Sequence, residues 1–193
     1  MSSWTLAEAD GQALARRAAE VVCAVLGDRP IDGRVPAAAA LRRLGASFVT
    51  LERDGALRGC IGTLEPIRPL YRDVAHNAGR ATADPRLPRV TAREWPRLRV
   101  NVSVLSRSEP ISAASLDELL ATLRPAVDGL TLADGERRST FLPAVWHKLP
   151  RPEDFVAALL RKGGWPTHRL PSGMRICRYT AVEFAQAPPH EPR

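Results

Sequence analysis

Cys60 stands in the run Leu57-Arg58-Gly59-Cys60-Ile61-Gly62-Thr63, and a thiol with a guanidinium two residues away is the chain's strongest chemical signal. Glycines on both sides of a cysteine inside a strand cost packing and conformational entropy, so something must need the space. Strand alternation puts Arg58, Cys60 and Gly62 on one face and Leu57, Gly59, Ile61 and Thr63 on the other. Arg58 and Cys60 would then lie roughly 6 to 7 Å apart on a shared face. A positive charge at that range favours the thiolate, the form that acts as nucleophile or redox centre. The same spacing also fits a small buried cysteine beside glycines that admit a crossing backbone, and spacing alone leaves both readings open.

The other reactive side chains carry weaker signals. His76 points away from the apolar arc of its helix, together with Arg72 and Arg80, as on a solvated basic face. His147 and His168 fall in loops and His190 in the tail, and none has ligand spacing with another His or Cys, so no metal site is expected. Asp84 and Arg86 read equally as a pair within a loop or as cleft residues. Lys162, at a helix C-terminus, reads equally as a response to the macrodipole or as a site residue. Trp146 and Trp165 read as core, and Cys23, opposite its helix's apolar stripe near Arg16 and Glu20, as incidental.

These residues need elements to hold them. Thr5-Leu6-Ala7-Glu8 has capping-box spacing and predicts a helix that buries Leu14, Ala18, Val21, Val22 and Val25 and stops at Gly27. PAAAALRRLG predicts a short helix. Ser47 to Arg53 and Ala56 to Leu64 are strand-like runs joined by Asp54-Gly55, a tight-turn pair tolerant of positive φ, and so predict an antiparallel hairpin. Pro69 to Ala83 predicts a second amphipathic helix with Asn77 at the border of its apolar arc. DPRLPRVTAREWP reads as a proline-punctuated loop and Leu98 to Leu105 as a half-buried strand. Further on come a capped helix at Ser115 to Leu123, a strand at Gly129 to Leu132, an Asp134-Gly135 turn, and an extended or loop stretch at Ser139 to Val145. A helix from Pro152 to Lys162 and one last strand from Arg175 to Phe184 complete the order. Helices and hairpins mix without regular alternation, which predicts an α+β fold with a mostly antiparallel sheet and packed helices.

Composition bounds the rest. With 193 residues the chain is expected to form a single domain over 1–185, with room for a sub-lobe, and a proline-rich disordered tail at 186–193. Its three cysteines are odd in number and lack CxxC pairing, which argues for a reducing compartment and against zinc or iron–sulfur binding. The acidic N-terminus and short apolar runs argue against a signal peptide and against a membrane span of ~18 residues. A cytoplasmic location is the expectation. The net charge of +7 comes almost wholly from scattered arginine, and no block of like charges occurs, so it permits nucleic-acid binding without establishing it.

The run FVTLERDGALRGCIGTLEP closely resembles the defining segment of the AMMECR family, also called AmmeMemoRadiSam system protein A. PLYRDVAHNAGRATADPRLPRVTAREWPRLRVNVSVLS, DGLTLADGERRSTFLPAVW, FVAALLRKGGWP and RICRYTAVEF follow in the family's order, so the resemblance spans Leu14 to Phe184. It implies an α+β domain with a small second lobe. It implicates Arg58, Gly59, Cys60, Gly62 and Thr63, then Asn77, then Asp84 and Arg86 of DPRL, then Thr140 of STFLP, and Lys162. Asp128 stands where many relatives have histidine, Leu87 where phenylalanine is usual, and Gly163 where alanine is usual. Relatives are often encoded beside a Memo-type protein and a radical S-adenosylmethionine enzyme, which implies those partners in a modification or redox pathway. No cofactor is implied. Cys60 would act as the catalytic thiol on a small anionic or acyl substrate, with Arg58 and Arg86 binding the anion. Against this stand a non-enzymatic partner-binding role and, less favoured, a nucleic-acid-binding module.

Overall fold

A computed structural model describes residues 6–187. It contains two compact units, one formed by the described residues up to Leu105 together with Val182 onward, the other by Ser106–Ala181. The fold is α+β.

The first unit opens with helix α1 (Glu8–Leu26), whose buried Leu14, Ala18, Val21 and Val22 recur at helical spacing. Ala7 is its N-cap; the cap expected at Thr5 lies outside the described residues, as does the tail from residue 188. The short helix α2 (Ala39–Arg42) leads to β1 (Leu44–Gly45), which pairs antiparallel with β4 (Arg68–Pro69). Between these lie β2 (Ser47–Arg53) and β3 (Ala56–Gly62), the expected antiparallel hairpin. Asp54 and Gly55 take φ of 53° and 78°, the left-handed backbone that a two-residue turn of this hand requires. Helix α3 (Leu70–Ala81) and β5 (Leu98–Leu105) follow. The sheet order is β10-β5-β2-β3, with β10 (Ala181–Gln186) supplied from the far end of the chain.

Alternation along these strands sends Val49, Leu51, Leu98, Val100, Val102 and Val104 into one core with the apolar faces of α1 and α3. The opposite sheet face is polar. Ser103, Phe48 and Gly62 form one row across β5, β2 and β3, and Asn101, Thr50 and Cys60 form the next.

The second unit has its own core. Helix α4 (Leu116–Thr122) begins at Ser115, whose side chain accepts the Glu118 N–H, and buries Leu119. A four-stranded sheet runs β6 (Glu109–Ile111), β9 (Arg175–Tyr179), β7 (Gly129–Asp134), β8 (Arg137–Phe141). Helix α5 (Pro152–Lys162) buries Phe155, Val156, Leu159 and Leu160, and the Phe155 ring stacks on Trp146 at 3.9 Å. Trp146 and Trp165 are both buried in this core.

Two stretches that read as continuous in the sequence are divided in the structure. The single last strand is two strands, β9 and β10, in different sheets, because the Thr180 N–H leaves the ladder to bond the Ser106 hydroxyl at 2.9 Å. The stretch after Ser139 divides as well: β8 ends at Phe141, and Pro143, which lacks an N–H, starts a short 3-10 helix over Pro143–His147.

Candidate functional site

β3 is an edge strand, so one side of its backbone has no neighbouring strand. At Cys60 the DPRL loop takes that place. The Cys60 N–H donates to Asp84 Oδ2 at 3.0 Å, and the Cys60 carbonyl accepts from an Arg86 terminal nitrogen at 2.8 Å. Asp84 and Arg86 are themselves joined, Arg86 Nε to Oδ1 at 2.9 Å and the terminal nitrogen to Oδ2 at 2.6 Å. An acceptor and a donor fused by an ion pair thus occupy the two hydrogen-bonding groups of one residue, as a paired strand would. The Arg86 guanidinium, with the Cys60 amide, holds the buried Asp84 carboxyl well below the usual carboxylate range.

The Cys60 side chain is half-buried on the polar sheet face, and Thr50 Oγ1 donates to its sulfur at 3.4 Å. Gly59, on the other face, lets α3 approach: a β-carbon there would stand 2.0 Å from the Ala81 carbonyl oxygen. Gly62 makes room for the Phe48 ring, 2.2 Å from where its β-carbon would be. The two glycines flanking Cys60 therefore serve opposite faces of the strand.

Arg58 departs from simple alternation. The β2–β3 register shifts between Leu51 and Glu52, pairing Leu51 with Gly59 and Glu52 with Leu57, so Arg58 is the extra residue of a bulge. Its guanidinium meets Glu94, with Nε 2.6 Å from Oε2 and a terminal nitrogen 3.2 Å from Oε1. Arg53 of β2 donates to the same Oε2 at 2.9 Å. Glu94 is also half of a capping box with Thr91 at the start of a 3-10 helix over Ala92–Arg97. Sequence reasoning took this stretch for a plain loop and missed Glu94, although Thr91-Ala92-Arg93-Glu94 carries the same capping spacing as Thr5 to Glu8.

Arg58, followed by the Thr91 bonds, lowers the Glu94 carboxyl from an ordinary 4.5 to about 2. A carboxylate depressed on folding contributes stability that is complete above its unfolded value and is lost as pH falls through the folded one. Glu94's share is thus present above about pH 4.5 and disappears toward about pH 2. Denaturant midpoints measured across that window should fall with pH in the wild type and fall less steeply in Glu94→Gln; equal slopes would rule out this role.

Thr63 and Asn77 gather at the other end of β3. Asn77 Nδ2 donates to the Ser47 carbonyl at 3.0 Å, to Asp73 Oδ2 at 3.0 Å and to the Thr63 hydroxyl at 3.3 Å. Asp73 is wholly buried on α3 and also accepts from the Ser47 N–H and hydroxyl. It lies on the arc of Leu70, Val74 and Asn77, a placement that helical spacing would have given. His76 is exposed, and partial desolvation of its ring, with the charges of Arg68 and Arg80, lowers its pKa.

Thr140 and Lys162 belong to the second unit. Lys162 Nζ donates to the Thr140 carbonyl at 2.8 Å and lies 5.0 Å from the Phe141 ring centre. The Thr140 hydroxyl pairs with Tyr179 Oη at 2.8 Å. Asp128 is wholly buried, and its Oδ1 accepts from Arg124 Nε at 3.1 Å and from a terminal Arg124 nitrogen at 2.7 Å. At Gly163 a β-carbon would meet the Trp165 ring at 1.8 Å, so glycine makes room for this tryptophan. Among the described residues no cluster of three or more His, Cys, Asp or Glu could hold a metal, and no helix is long and apolar enough to cross a membrane.

Fold and geometry together define an α+β protein whose first sheet presents a thiol on an edge strand fastened by an Asp-x-Arg loop. The chain belongs to the AMMECR1 family, whose model matches residues 14–184. A protein of Thermofilum pendens is 33% identical over 91% of this chain and 88% of its own length. One of Methanothermobacter thermautotrophicus is 39% identical over 62% of this chain, which spans only 63% of that relative. The crystal structure of uncharacterized protein PH0010 from Pyrococcus horikoshii matches with a TM-score of 0.84 at 30% identity, covering 94% of each chain.

Proposed function

We propose that this is a cytoplasmic, cysteine-dependent member of its family that acts on a small anionic or acyl substrate. It would serve a modification or redox pathway shared with a Memo-type protein and a radical S-adenosylmethionine enzyme. Cys60 is the nucleophilic or redox-active thiol. The observation that supports this reading is the fastening of Cys60: its N–H and C=O are both held by the Asp84–Arg86 pair while its sulfur stays on the polar sheet face. Fixing a reactive atom's backbone is how a protein pre-orients a nucleophile. The Arg86 side chain is 60% exposed, so it can meet an anion without leaving Asp84. Gly59, Gly62, Thr63 and Asn77 hold the strand in place, and Arg58 anchors its bulge.

One observation favours a second reading, a non-enzymatic partner-binding protein. Both Arg58 and Arg86 are already matched by carboxylates, Glu94 and Asp84, which leaves less charge for a substrate than the sequence suggests. Two measurements separate the readings. Limiting iodoacetamide at neutral pH should label native Cys60 ahead of Cys177, as peptide mass spectrometry reads directly. Cells carrying Cys60→Ser should show the same metabolite changes as cells lacking the gene. A Cys60 that reacts only after denaturation, with an unchanged metabolite profile in Cys60→Ser cells, would leave partner binding as the function.

A further inference from the structure

Between α1 and the loop that follows it, the first unit holds a cavity of about 760 Å³, a size typical of small-molecule sites. Cys60 takes no part in it. Ala19, Val21 and Ala24 of α1 supply a buried apolar wall, Pro30 and Ile31 of the loop face the same space, and Trp95 adds an aromatic surface. The loop is fastened to the helix. Gly27 N–H bonds the Cys23 carbonyl, Arg29 N–H bonds the Ala24 carbonyl at 2.8 Å, and the Arg17 guanidinium donates to the Asp32 carbonyl. Ile31 is nonetheless 48% exposed, as an apolar side chain is when it borders an open site.

The charges in the lining are unequal. Glu20 pairs with Arg17 and Asp32 with Arg34, each at 3.3 Å. Arg16 and Arg29 also line the cavity, and among the described residues neither has a carboxylate partner. Arg29 instead donates to the Cys23 sulfur at 2.9 Å, and sulfur is a weak acceptor. Two guanidiniums beside an apolar wall complement a ligand with an acid at one end and hydrocarbon at the other.

We propose that this cavity binds a small amphipathic anion, its hydrocarbon against Ala19, Ala24, Ile31 and Trp95 and its acid group held by Arg16 and Arg29. A cationic amphiphile of equal length would fill the same apolar surface but meet surplus positive charge, so the sign of the charge is the signature of the site.

The test titrates the full chain with 8-anilinonaphthalene-1-sulfonate by fluorescence, then adds decanoate or decyltrimethylammonium. Decanoate should displace the dye and decyltrimethylammonium should be weaker on the order of tenfold, the scale of one charge-assisted contact. Because Cys23 is in the lining and Cys60 is not, decanoate should also slow iodoacetamide labelling of Cys23 and leave Cys60 unchanged. Arg29→Glu and Ile31→Asp, both at exposed positions, should each weaken decanoate binding on the order of tenfold while circular dichroism stays native. Equal displacement by anion and cation in the wild type overturns the proposal whatever the variants do. So does wild-type affinity in both folded variants.

Discussion

Gly59→Ala will unfold well below the wild-type temperature, because the added β-carbon would stand 2.0 Å from the Ala81 carbonyl oxygen and 3.0 Å from its carbonyl carbon. Neither atom belongs to a side chain that can turn away. Relief requires the end of α3 to lift from β3, which breaks packing among Val74, Ala78, Ala81 and the sheet. Overpacking against backbone costs ~3 kcal/mol at the upper end of its usual range. For a chain of this length that lowers Tm by roughly 6 to 12 °C. Gly33→Ala is the matched control, since nothing lies within 4 Å of its added carbon, and it should melt no lower than wild type. Equal melting of the two variants would show that α3 does not rest on β3 as described.

Asp84→Ala should be about as damaging, for an electrostatic reason. The carboxylate accepts the Cys60 and Arg86 amides and both faces of the Arg86 fork, and it is wholly buried. Removing it strands the Cys60 N–H at a sheet edge and leaves Arg86 without its counter-charge. Breaking a buried pair costs roughly 3 to 5 kcal/mol, and the 60% exposure of Arg86 places this one at ~3 kcal/mol. Asp84→Asn, which keeps an acceptor for Cys60, should lose about half as much. Amide hydrogen exchange at Cys60 separates this account from a general loss of stability: in Asp84→Ala it should quicken more than exchange in α5, which lies in the other unit. Uniform acceleration across both units would contradict it.

Much of this arrangement was legible from residue types. Asp54-Gly55 announced the hairpin, and the two glycines around Cys60 announced close approaches, because each signal depends on backbone conformation and local space. What stayed hidden depended on partners distant in sequence. That Asp84 and Arg86 pair was one of two balanced readings, but that the pair spends its outer hydrogen bonds on Cys60 requires a contact 24 to 26 residues away. Arg58 was placed beside Cys60 by alternation, and the bulge that turns it to Glu94 leaves no trace in a period-two pattern. Asp73 was overlooked for a different reason: a carboxylate on an apolar arc reads as an interruption until Ser47 and Asn77 are seen to bond its Oδ2. The division of Arg175 to Phe184 was equally opaque, since the residues on both sides of Thr180 favour extended backbone and the break is marked by hydrogen bonds to Ser106, distant in sequence.

That division has a consequence for biosynthesis. A ribosome releases β2, β3 and β5, then the whole of Ser106–Ala181, and only afterwards β10, whose Phe184 ring fills the space above Gly11 of α1. The second unit can therefore finish folding on a nascent chain while the first still lacks an outer strand and part of its core. Its completion also shortens the wait. The Ser106 N–H bonds the Thr180 carbonyl and the Thr180 N–H bonds the Ser106 hydroxyl, both at 2.9 Å, so the folded insert returns the chain to the point it left. A search over a long flexible loop becomes the docking of one tethered strand, and the closure entropy has already been met by the insert's own core.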